Sequence, residues 1–392
     1  NRISCRLINP SKSDVGKISK SILDKINKEL INKTQINQWK NTASVLEWFN
    51  NLKNIDNCSF ITFDIENFYP SISRELFAEA LKFAKTFMEI EDKDIQIIMQ
   101  ARKTLLFNEN QPWIKRNGDE DFDVPMGCFD GAEVCQLVGT YVLQKLSNTI
   151  DKNDIGLYRD DGLGILRNIP GPQVEKIRKT IIQQFKECNL AITIQTKLFV
   201  VNFDVQLNLK NMSCKPYCKP NNDPVYINKD SNHPPSVLKQ VPISIGKRIS
   251  EISSSADIFK ESIPLYENAL KKSGYQVNLQ YSADKYNAEN IPRRNRKRKI
   301  IWFNPPYSMN VKTNVGKIFF KLLDKYFPKT NRFHKIFNRN NVKLSYSCVK
   351  NIGSIMSSHN KLKLSQTNID PSCNCRMKQD CPVENKCLSN NI

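Results

Sequence analysis

Apolar residues recur along the chain at two different spacings, and each spacing predicts a type of secondary structure. A recurrence every three or four positions indicates the buried face of a helix. Such stripes are Val15, Ile18, Ile22, Ile26 and Leu30; Leu76, Phe77, Ala80 and Phe83; Val134, Leu137, Val138, Tyr141 and Leu146; Val174, Ile177, Ile181 and Phe185; and positions from Val237 to Leu270. Ser73 is suited to cap the second of these helices. The polar residues 90–124 are expected to combine a helix with a hairpin.

A continuous apolar run around residue 62 predicts a buried strand that ends in a carboxylate. Because side chains alternate faces along a strand, Phe60, Thr62 and Asp64 are expected to share one face. A carboxylate is costly to bury unless it binds something. Asp64 is therefore a candidate ligand-binding residue, and the alternative is a helix N-cap or a turn residue. A further strand is predicted over 191–194.

The stretch from Gly156 to Leu166 places two adjacent carboxylates between two apolar runs. Asp161-Gly162 is a dipeptide typical of hairpin turns, because Gly tolerates the positive φ that a tight reversal needs. We expect a β-hairpin with Asp160 and Asp161 at or beside its bend. Adjacent like charges repel, so the pair suggests a metal site. The alternative is an ordinary Asp-Gly turn at a solvated sheet edge.

Asp64, Asp160 and Asp161 together fit a site for two divalent cations. One carboxylate at a strand end and two on a neighbouring hairpin can supply the ligands that two-metal phosphoryl transfer needs. In that chemistry two Mg²⁺ ions about 4 Å apart activate the attacking hydroxyl and stabilise the leaving oxygen.

Three segments resemble, in order, motifs A, B and C of reverse transcriptases. They are 63–72 (FDIENFYPSI), 125–135 (PMGCFDGAEVC) and 158–163 (YRDDGL), and they are most similar to those of Penelope-like retroelements. Residues 5–10, 231–235 and 373–376 resemble the same family, so the resemblance covers nearly the whole chain. It implies an α+β right-hand polymerase with fingers, palm and thumb, an antiparallel palm sheet, a helical thumb and a Cys-rich C-terminal tail. It also implies a fragment that ends before a GIY-YIG endonuclease domain.

The resemblance implies a division of the chain into consecutive regions. These are partial fingers at 1–59, a palm at 60–215 with a fingers insertion around 88–124, a primer grip and helical thumb at 216–290, a basic linker at 291–365, and a Cys-rich segment at 366–392.

The implied activity is RNA-directed DNA synthesis, in which dNTPs are added to the 3′-hydroxyl of a DNA primer on an RNA template. Asp64, Asp160 and Asp161 would be catalytic and would bind two Mg²⁺ ions, for which Mn²⁺ is an alternative. The backbone carbonyl of Ile65 would complete the ligand set. A lysine serves as general acid in related polymerases, and Lys197 is a candidate for that role, with a solvated strand end as the alternative.

Three other residues are implied to contact the nucleotide. Arg6 would touch the triphosphate. Tyr69 would exclude a ribose 2′-hydroxyl and so select deoxynucleotides, with a palm core aromatic as the alternative. Gly127, which lacks a Cβ, would let the backbone approach the incoming nucleotide closely. The alternative for Gly127 is a flexible loop before a helix.

The charge balance favours a polyanionic partner. The chain has 59 Lys and Arg against 39 Asp and Glu, a formal net charge of +20. Phosphate neutralisation with counterion release dominates nucleic-acid affinity, although a basic ribosomal or membrane-surface protein would share this excess. The basic run 293–299 indicates nuclear localisation, with a backbone-contacting strip, a solvated charge run or a cytoplasmic protein as alternatives. No apolar run approaches the length of a membrane span.

Four of the 12 cysteines are concentrated near the end of the chain. Cys373, Cys375, Cys381 and Cys387 suit a tetrahedral Zn²⁺ site in a reducing compartment. The alternative is a partial site whose other ligands lie past Ile392.

Two other functions remain open from the sequence. One is a telomerase-like polymerase on the same palm. The other is a catalytically dead nucleic-acid-binding remnant, because the family pattern has a Leu that this chain lacks between Phe203 and Asp204.

Overall fold

The computed structural model describes residues 13–103, 106–108, 111–113, 122–282, 300–349, 355–356 and 358–359. Three predicted features lie outside these residues: Arg6, the basic run 293–299, and the tail cysteines Cys373, Cys375, Cys381 and Cys387.

The described helices are α1 (Asp14–Thr34), α2 (Thr42–Asn50), α3 (Phe68–Ser71), α4 (Arg74–Lys85), α5 (Asp92–Gln100), α6 (Gly131–Leu146), α7 (Gly171–Glu187), α8 (Pro235–Ile252), α9 (Ala256–Lys272) and α10 (Val315–Tyr326). The described strands are β1 (Asn37–Gln38), β2 (Cys58–Ile65), β3 (Leu106–Asn108), β4 (Gln111–Trp113), β5 (Ile155–Tyr158), β6 (Asp161–Arg167), β7 (Ile192–Leu198), β8 (Val200–Asn202), β9 (Val205–Asn208), β10 (Ser213–Pro216), β11 (Ile301–Phe303), β12 (Pro306–Tyr307), β13 (Val342–Leu344) and β14 (Ser347–Cys348).

The chain divides into two compact units. The first comprises Asn1–Pro224, Ile245–Asn268 and Asn278–Tyr286. The second comprises Val225–Ser244, Ala269–Val277 and Asn287–Ile392. No helix in the part of the chain that the structure describes is long and apolar enough to cross a membrane.

The first unit is built around a five-stranded sheet with the strand order β1-β5-β6-β2-β7. β1 pairs in parallel with β5, and the other neighbours are antiparallel. The predicted strand around residue 62 is confirmed as β2, and its side chains alternate between two cores as expected. Phe60 packs into one core, Ile61 and Phe63 pack into the other, and Asp64 at the strand end is exposed.

One core lies between the sheet and the helices α1, α4, α6 and α7. It includes Leu30, Phe77, Leu137 and Phe185 among its buried side chains. The predicted stripes on these helices are therefore confirmed over most of their length. In α1, however, Val15 and Ile18 are 41% and 52% exposed, because the buried face of that first turn carries Gly16 and Ser19 instead.

The other core covers the opposite face of the sheet. There Phe60, Leu163 and Ile165 pack against α2 and against the three-stranded sheet β10-β9-β8. Trp39, just before α2, and Trp48, within α2, lie with ring centroids 5.1 Å apart. Both faces of β2 and β6 are thus buried by protein, which holds these two strands rigidly.

Local sequence signals account for several element boundaries. The Leu76 N–H donates to Ser73 Oγ over 3.2 Å, so Ser73 caps α4 as predicted. The polar stretch 90–124 contains α5 and the β3–β4 hairpin, which confirms the expected combination. The spacing from Val237 to Leu270 corresponds to α8 and α9, each of which contains an internal proline, Pro242 and Pro264.

In the second unit, part of the predicted basic linker 291–365 has regular structure. Within 300–349, β11 pairs in parallel with β13 and β12 pairs in parallel with β14. α10 lies between these strands in the sequence.

Candidate carboxylate site

The turn of the β5–β6 hairpin consists of Arg159 and Asp160. Tyr158 pairs with Asp161 across the hairpin, which leaves two residues in the loop. Arg159 has a φ of +58°, so the positive φ that a tight reversal needs is supplied by an arginine. The prediction of an Asp161-Gly162 turn is therefore wrong by two residues. The broader prediction, adjacent carboxylates at and beside a hairpin bend, is confirmed.

Gly162 lies inside β6 and has a packing role. It is the cross-strand partner of Phe63 in β2. A Cβ at position 162 would lie 2.0 Å from Phe63 Cζ, so a side chain there would overlap the ring. Phe63 in turn contacts Phe185 of α7, with ring centroids 5.2 Å apart.

The strand register brings Asp64, Asp160 and Asp161 to the same end of the central sheet. Asp64 is the direct cross-strand partner of Asp161. The Ile65 N–H donates to the Asp160 carbonyl over 2.9 Å, which ties the turn to the end of β2. Side chains of directly opposite residues in an antiparallel pair have Cβ atoms about 4.5–5.5 Å apart. Three carboxylates predicted from distant segments are thus neighbours.

Negative charge is crowded at this end of the sheet. The pKa of the Asp161 carboxyl is raised to about 6, first by desolvation and then by repulsion from Asp160 and Asp64. Asp161 is exposed as a residue, but neighbouring protein atoms desolvate its carboxyl group. The pKa of Asp64 is also raised, by desolvation and then by Asp160 and Glu66. The positive charge of Lys219 opposes both shifts.

The donor set suits a hard divalent cation. Carboxylate oxygens are the ligands that Mg²⁺ prefers, and a cation would relieve the repulsion that raises these pKa values. Within the described ranges, no group of three or more His, Cys, Asp or Glu side chains is gathered tightly enough to hold a metal ion. Cation binding would therefore have to draw the carboxylates of Asp64, Asp160 and Asp161 together.

Tyr69 lies beside the carboxylates, in the short helix α3. It is half-buried against the core, and its Cε1 lies 3.6 Å from where a Cβ at Gly131 would be. Burial is the main cause that raises the pKa of its phenol to about 12; Cys135 and Asp160 raise it further, and the positive charge of Arg159 opposes the shift. The structure thus brings Tyr69 to the same end of the sheet as Asp160.

Gly127 is exposed in the loop before α6 and has a φ of +89°. That conformation is in the left-handed region, where a residue with a Cβ is disfavoured. The backbone therefore explains the glycine at this position without a nucleotide. Its predicted contact with the nucleotide stays a prediction.

The same loop is anchored by a buried ion pair that the sequence did not indicate. Arg102 and Asp130 are 1% and 0% exposed, and Arg102 Nη2 donates to Asp130 Oδ1. Ser19 Oγ of α1 donates to Asp130 Oδ2 over 2.5 Å. Arg102 Nη1 also lies 3.6 Å from Cys128 Sγ. Neither partner stands in a local pattern that marks it as buried, so only the three-dimensional contacts identify this network.

The structure does not bring Lys197 to the carboxylates. Thr193 is the β7 residue opposite Asp64, and Lys197 lies four residues farther along, about 13 Å away at the usual strand rise. The pairing of β7 with β2 contains a β-bulge near Lys197, whose φ is +59°. The Lys197 side chain reaches toward the start of α7, where its Nζ lies 3.4 Å from the position that a Cβ at Gly171 would occupy. Lys219, after β10, is the lysine whose charge acts on Asp64.

The position at which the reverse-transcriptase pattern would predict an additional Leu, between Phe203 and Asp204, lies in the turn between β8 and β9. Val201 pairs with Leu207 and Asn202 pairs with Gln206, and the Phe203 N–H donates to the Val205 carbonyl over 2.9 Å. Both Val201 and Leu207 are buried. The hairpin is therefore regular on both sides of a tight turn.

Comparison with known proteins gives one short family match and distant structural likenesses. Residues 225–281, which contain α8 and α9, match the model of the animal helix-turn-helix domain. No curated protein matches the chain.

Three of the solved structures to which this chain is distantly similar are a telomerase and two RNA-dependent RNA polymerases. Apo telomerase from Candida tropicalis, truncated from the C-terminal domain, is 13% identical with a TM-score of 0.39, over 52% of this chain and 45% of that chain. The RNA-dependent RNA polymerase of a human picorbirnavirus is 10% identical with a TM-score of 0.43, over 65% and 50%. The BmCPV RNA-dependent RNA polymerase at the elongation state is 12% identical with a TM-score of 0.44, over 67% and 25%.

The aligned region spans half or less of each of these solved chains. TM-scores below 0.5 are too low to carry an assignment of activity. The function therefore rests on the residues of the site, and the Penelope-like resemblance stays a prediction from the motifs.

Proposed function

We propose that this chain is the reverse transcriptase of a Penelope-like retroelement, which adds deoxynucleotides to a DNA primer on an RNA template. The observation that carries the proposal is the cross-strand pairing of Asp64 with Asp161 beside the turn residue Asp160. An ordinary solvated turn gains nothing from three crowded carboxylates, whose repulsion contributes to the raised pKa values of Asp64 and Asp161. A cation site gains from such a cluster, because a bound cation offsets the repulsion between the carboxylates. The motif resemblance and the excess of positive charge favour a nucleic-acid substrate.

The reaction forms a bond between the primer 3′-oxygen and the α-phosphorus of the nucleotide and breaks the bond from that phosphorus to the bridging oxygen; pyrophosphate leaves, and the 3′-hydroxyl proton is released to water. Two Mg²⁺ ions, when bound, would lower the pKa of the 3′-hydroxyl and stabilise the charge on the phosphates. Asp64, Asp160 and Asp161 would hold them. The protein's own contribution is to fix Asp64 and Asp161 at the ends of two strands that are buried on both faces, and Asp160 in the adjoining turn, because positioning is the main requirement of phosphoryl transfer.

Tyr69 and Lys219 have supporting roles in this proposal. Tyr69, half-buried beside Asp160, would occupy the space that a ribose 2′-hydroxyl needs and so select deoxynucleotides. Lys219, whose charge acts on Asp64 and Asp161, would offset negative charge where the triphosphate enters.

The test is primer extension on an RNA template with Mg²⁺ and dNTPs. The variants are Asp160→Asn and Asp161→Asn, and Glu89→Gln is the matched control because Glu89 is an exposed carboxylate on another part of the first unit. We expect extension by the wild type and by Glu89→Gln, and a loss of at least about a hundredfold for each Asp variant.

Equal extension by all four proteins would contradict the carboxylate assignment. Extension only on a DNA template, or repeat addition to a single-stranded end that depends on an added RNA, would replace the proposal with a different polymerase. Salt-sensitive RNA binding with no product, with Mg²⁺ or Mn²⁺, would identify a catalytically dead remnant.

Zinc binding by Cys373, Cys375, Cys381 and Cys387 and nuclear localisation through 293–299 are separable parts of the proposal. Metal analysis of the purified full chain tests the first, with Cys373→Ser/Cys381→Ser as the control. We expect about one equivalent of Zn²⁺ in the wild type and a loss of that metal in the double variant.

A further inference from the structure

Residues 300–349 form a small folded segment with an aromatic core. Phe303 of β11 stacks on Phe319 of α10, with ring centroids 4.2 Å apart. A Cβ at Gly316 would lie 2.5 Å from Leu344 Cδ2, so α10 packs closely on β13. The face of α10 that carries Gly316 and Leu323 is buried, and the remaining face is solvent-exposed.

This segment is strongly basic. It has nine Lys and Arg but a single acidic residue, Asp324. That carboxylate is already paired with Arg339 over 2.5 Å. The remaining positive charges have no acidic partner within the segment, and such an excess attracts polyanions.

The exposed charges include a row along one face of α10. Lys317, Lys321 and Lys325 recur every four residues, so they lie above one another with a rise of about 6 Å between neighbours. All three are exposed. A row of this kind can contact successive groups along a charged backbone.

Two aromatic rings are exposed, unlike Phe319 and its stacking partner: Tyr326 at the last position of α10 and Phe333 in the chain that follows the helix. Tyr326 is 61% exposed and Phe333 is 40% exposed. Each ring has its own cation: Lys325 Nζ lies 5.6 Å from the Tyr326 centroid, and Arg332 Cζ lies 4.4 Å from the Phe333 centroid.

Hydrogen bonds hold the chain after α10 close to the helix end. Asn331 Nδ2 donates to the Tyr326 carbonyl over 3.1 Å. His334 Nδ1 lies 2.7 Å from the Phe327 carbonyl oxygen. The two ring–cation pairs are therefore anchored to the same end of the helix. We use the name α10 surface for the basic and aromatic residues Lys317, Lys321, Lys325, Tyr326, Arg332 and Phe333.

We propose that the α10 surface binds single-stranded nucleic acid, separately from the carboxylate site. Phosphates contact the lysine row and Arg332, and unpaired bases stack on Tyr326 and Phe333. Charge alone would also fit an acidic protein. The exposed rings favour nucleic acid, because every base has a flat face that stacks on a ring and the carboxylate side chains of an acidic protein have none. Paired bases cannot stack in this way, which favours single strands.

The test measures binding of a fluorescent oligo(U) RNA of roughly 12 nucleotides to the full chain over a range of salt concentrations. One variant carries Lys317→Gln, Lys321→Gln and Lys325→Gln, and a second carries Tyr326→Ala and Phe333→Ala. The matched control replaces Lys176, Lys179 and Lys186, which are exposed on α7 in the first unit, by Gln. Both triple variants lower the formal charge from +20 to +17, so they separate position from net charge.

We expect the α10 triple variant to bind more weakly and its slope of log K against log salt to fall by about 2, at 0.7 per lost phosphate contact. We expect the aromatic variant to bind about tenfold more weakly or worse, with an unchanged salt slope. The α7 control should match the wild type. Photo-crosslinking with a 4-thiouridine oligonucleotide should label the peptide that carries Tyr326 and Phe333.

Equal affinities and slopes for the α10 and α7 triple variants would overturn the proposal, as would crosslinks that avoid residues 315–339. Loss of affinity for duplex and single strand alike in the lysine variant, with no effect of the aromatic variant, would overturn base stacking. Because all substituted residues are exposed, matching circular dichroism spectra and melting curves are expected. The proposal does not depend on polymerase activity: Asp160→Asn should remove extension and leave this binding unchanged.

Discussion

Phe63 lies directly opposite Gly162 across the β2–β6 pair, and its ring occupies the space that a side chain at position 162 would need. The next pair in the same register is Asp64 with Asp161. A slip of one residue would turn every later side chain to the opposite face of the sheet. The fit of one ring over one glycine therefore helps to set the positions of the candidate catalytic carboxylates.

Replacement of this glycine should damage the fold before it damages the chemistry. We expect Gly162→Ala to lower the free energy of unfolding by about 1–3 kcal/mol, because the added methyl overpacks a buried contact. Urea denaturation at constant m-value measures the change. The double variant Gly162→Ala/Phe63→Leu should recover part of the loss, since the smaller side chain leaves room for the methyl group. A double variant whose loss equals the sum of the two single losses would show that the ring and the glycine do not interact.

The raised pKa of Asp161 predicts a pH-dependent stability. A carboxyl group with a higher pKa in the folded state binds more protons folded than unfolded, so stability falls as pH rises between the ordinary value of 3.8 and about 6. Above this window, Asp161→Asn should melt at a higher temperature than the wild type. Below about pH 4 the two proteins should melt alike, because both side chains are then neutral.

Melting curves from about pH 4 to pH 8 in a metal-free buffer test this prediction. Asp56→Asn serves as control, because Asp56 is exposed and lies at the opposite end of the sheet from the carboxylates, just before β2. Added Mg²⁺ should raise the melting temperature of the wild type more than that of Asp161→Asn, since only the wild type has the full carboxylate set. A variant that is less stable than the wild type at neutral pH would contradict the crowding of charge.

Residue spacing was enough to predict β2, the hairpin and the main helices, since each signal is local. The apolar pattern over 60–65 predicted the position of Asp64 correctly, because successive side chains of a strand point to opposite faces of the sheet. The turn was misplaced because Asp-Gly is the more common reversal, whereas here packing of Phe63 requires the glycine inside the strand. Tertiary packing thus overrode local turn preference.

Long-range contacts were the part that the sequence could not reveal. Lys197 and Lys219 look alike in the sequence, and only the strand register separates them. The interleaved aromatics of 300–349 likewise give no local sign of which rings are buried. Phe319 and Tyr326 lie on the same helix and differ because β11 covers one face only.

The buried pair of Arg102 and Asp130 should be essential for stability. Asp130→Asn leaves the guanidinium buried without its counter-charge, and loss of one partner of a buried pair costs about 3–5 kcal/mol. Ser19→Ala, which removes only the hydroxyl donor to Asp130, should cost about 1 kcal/mol. Chemical denaturation measures both values.

The Arg102–Asp130 pair can also be tested through nucleotide binding, because it anchors the loop that carries Gly127. In Ser19→Ala, which should stay folded, we expect the KM for dNTP to rise with little change in kcat if the loop contacts the nucleotide. The double variant Arg102→Met/Asp130→Asn should be more stable than Asp130→Asn alone, because it removes the unpaired charge. A double variant no more stable than the single would show that the charge of Arg102 is not the cause.

Tyr69 offers a test of nucleotide selection that separates its ring from its hydroxyl. If the ring excludes the ribose 2′-hydroxyl, Tyr69→Phe should keep the preference for dNTPs, because the ring remains. Tyr69→Ala should incorporate ribonucleotides at least about tenfold better relative to deoxynucleotides, since space for the hydroxyl opens while the carboxylates are untouched. The kcat/KM ratio for matched dNTP and rNTP on one template measures this selectivity. Phe83, a half-buried aromatic packed against the same core, supplies a control as Phe83→Ala, which should lower stability without a change in the ratio. An unchanged ratio in Tyr69→Ala, with extension intact, would assign Tyr69 to the core alone.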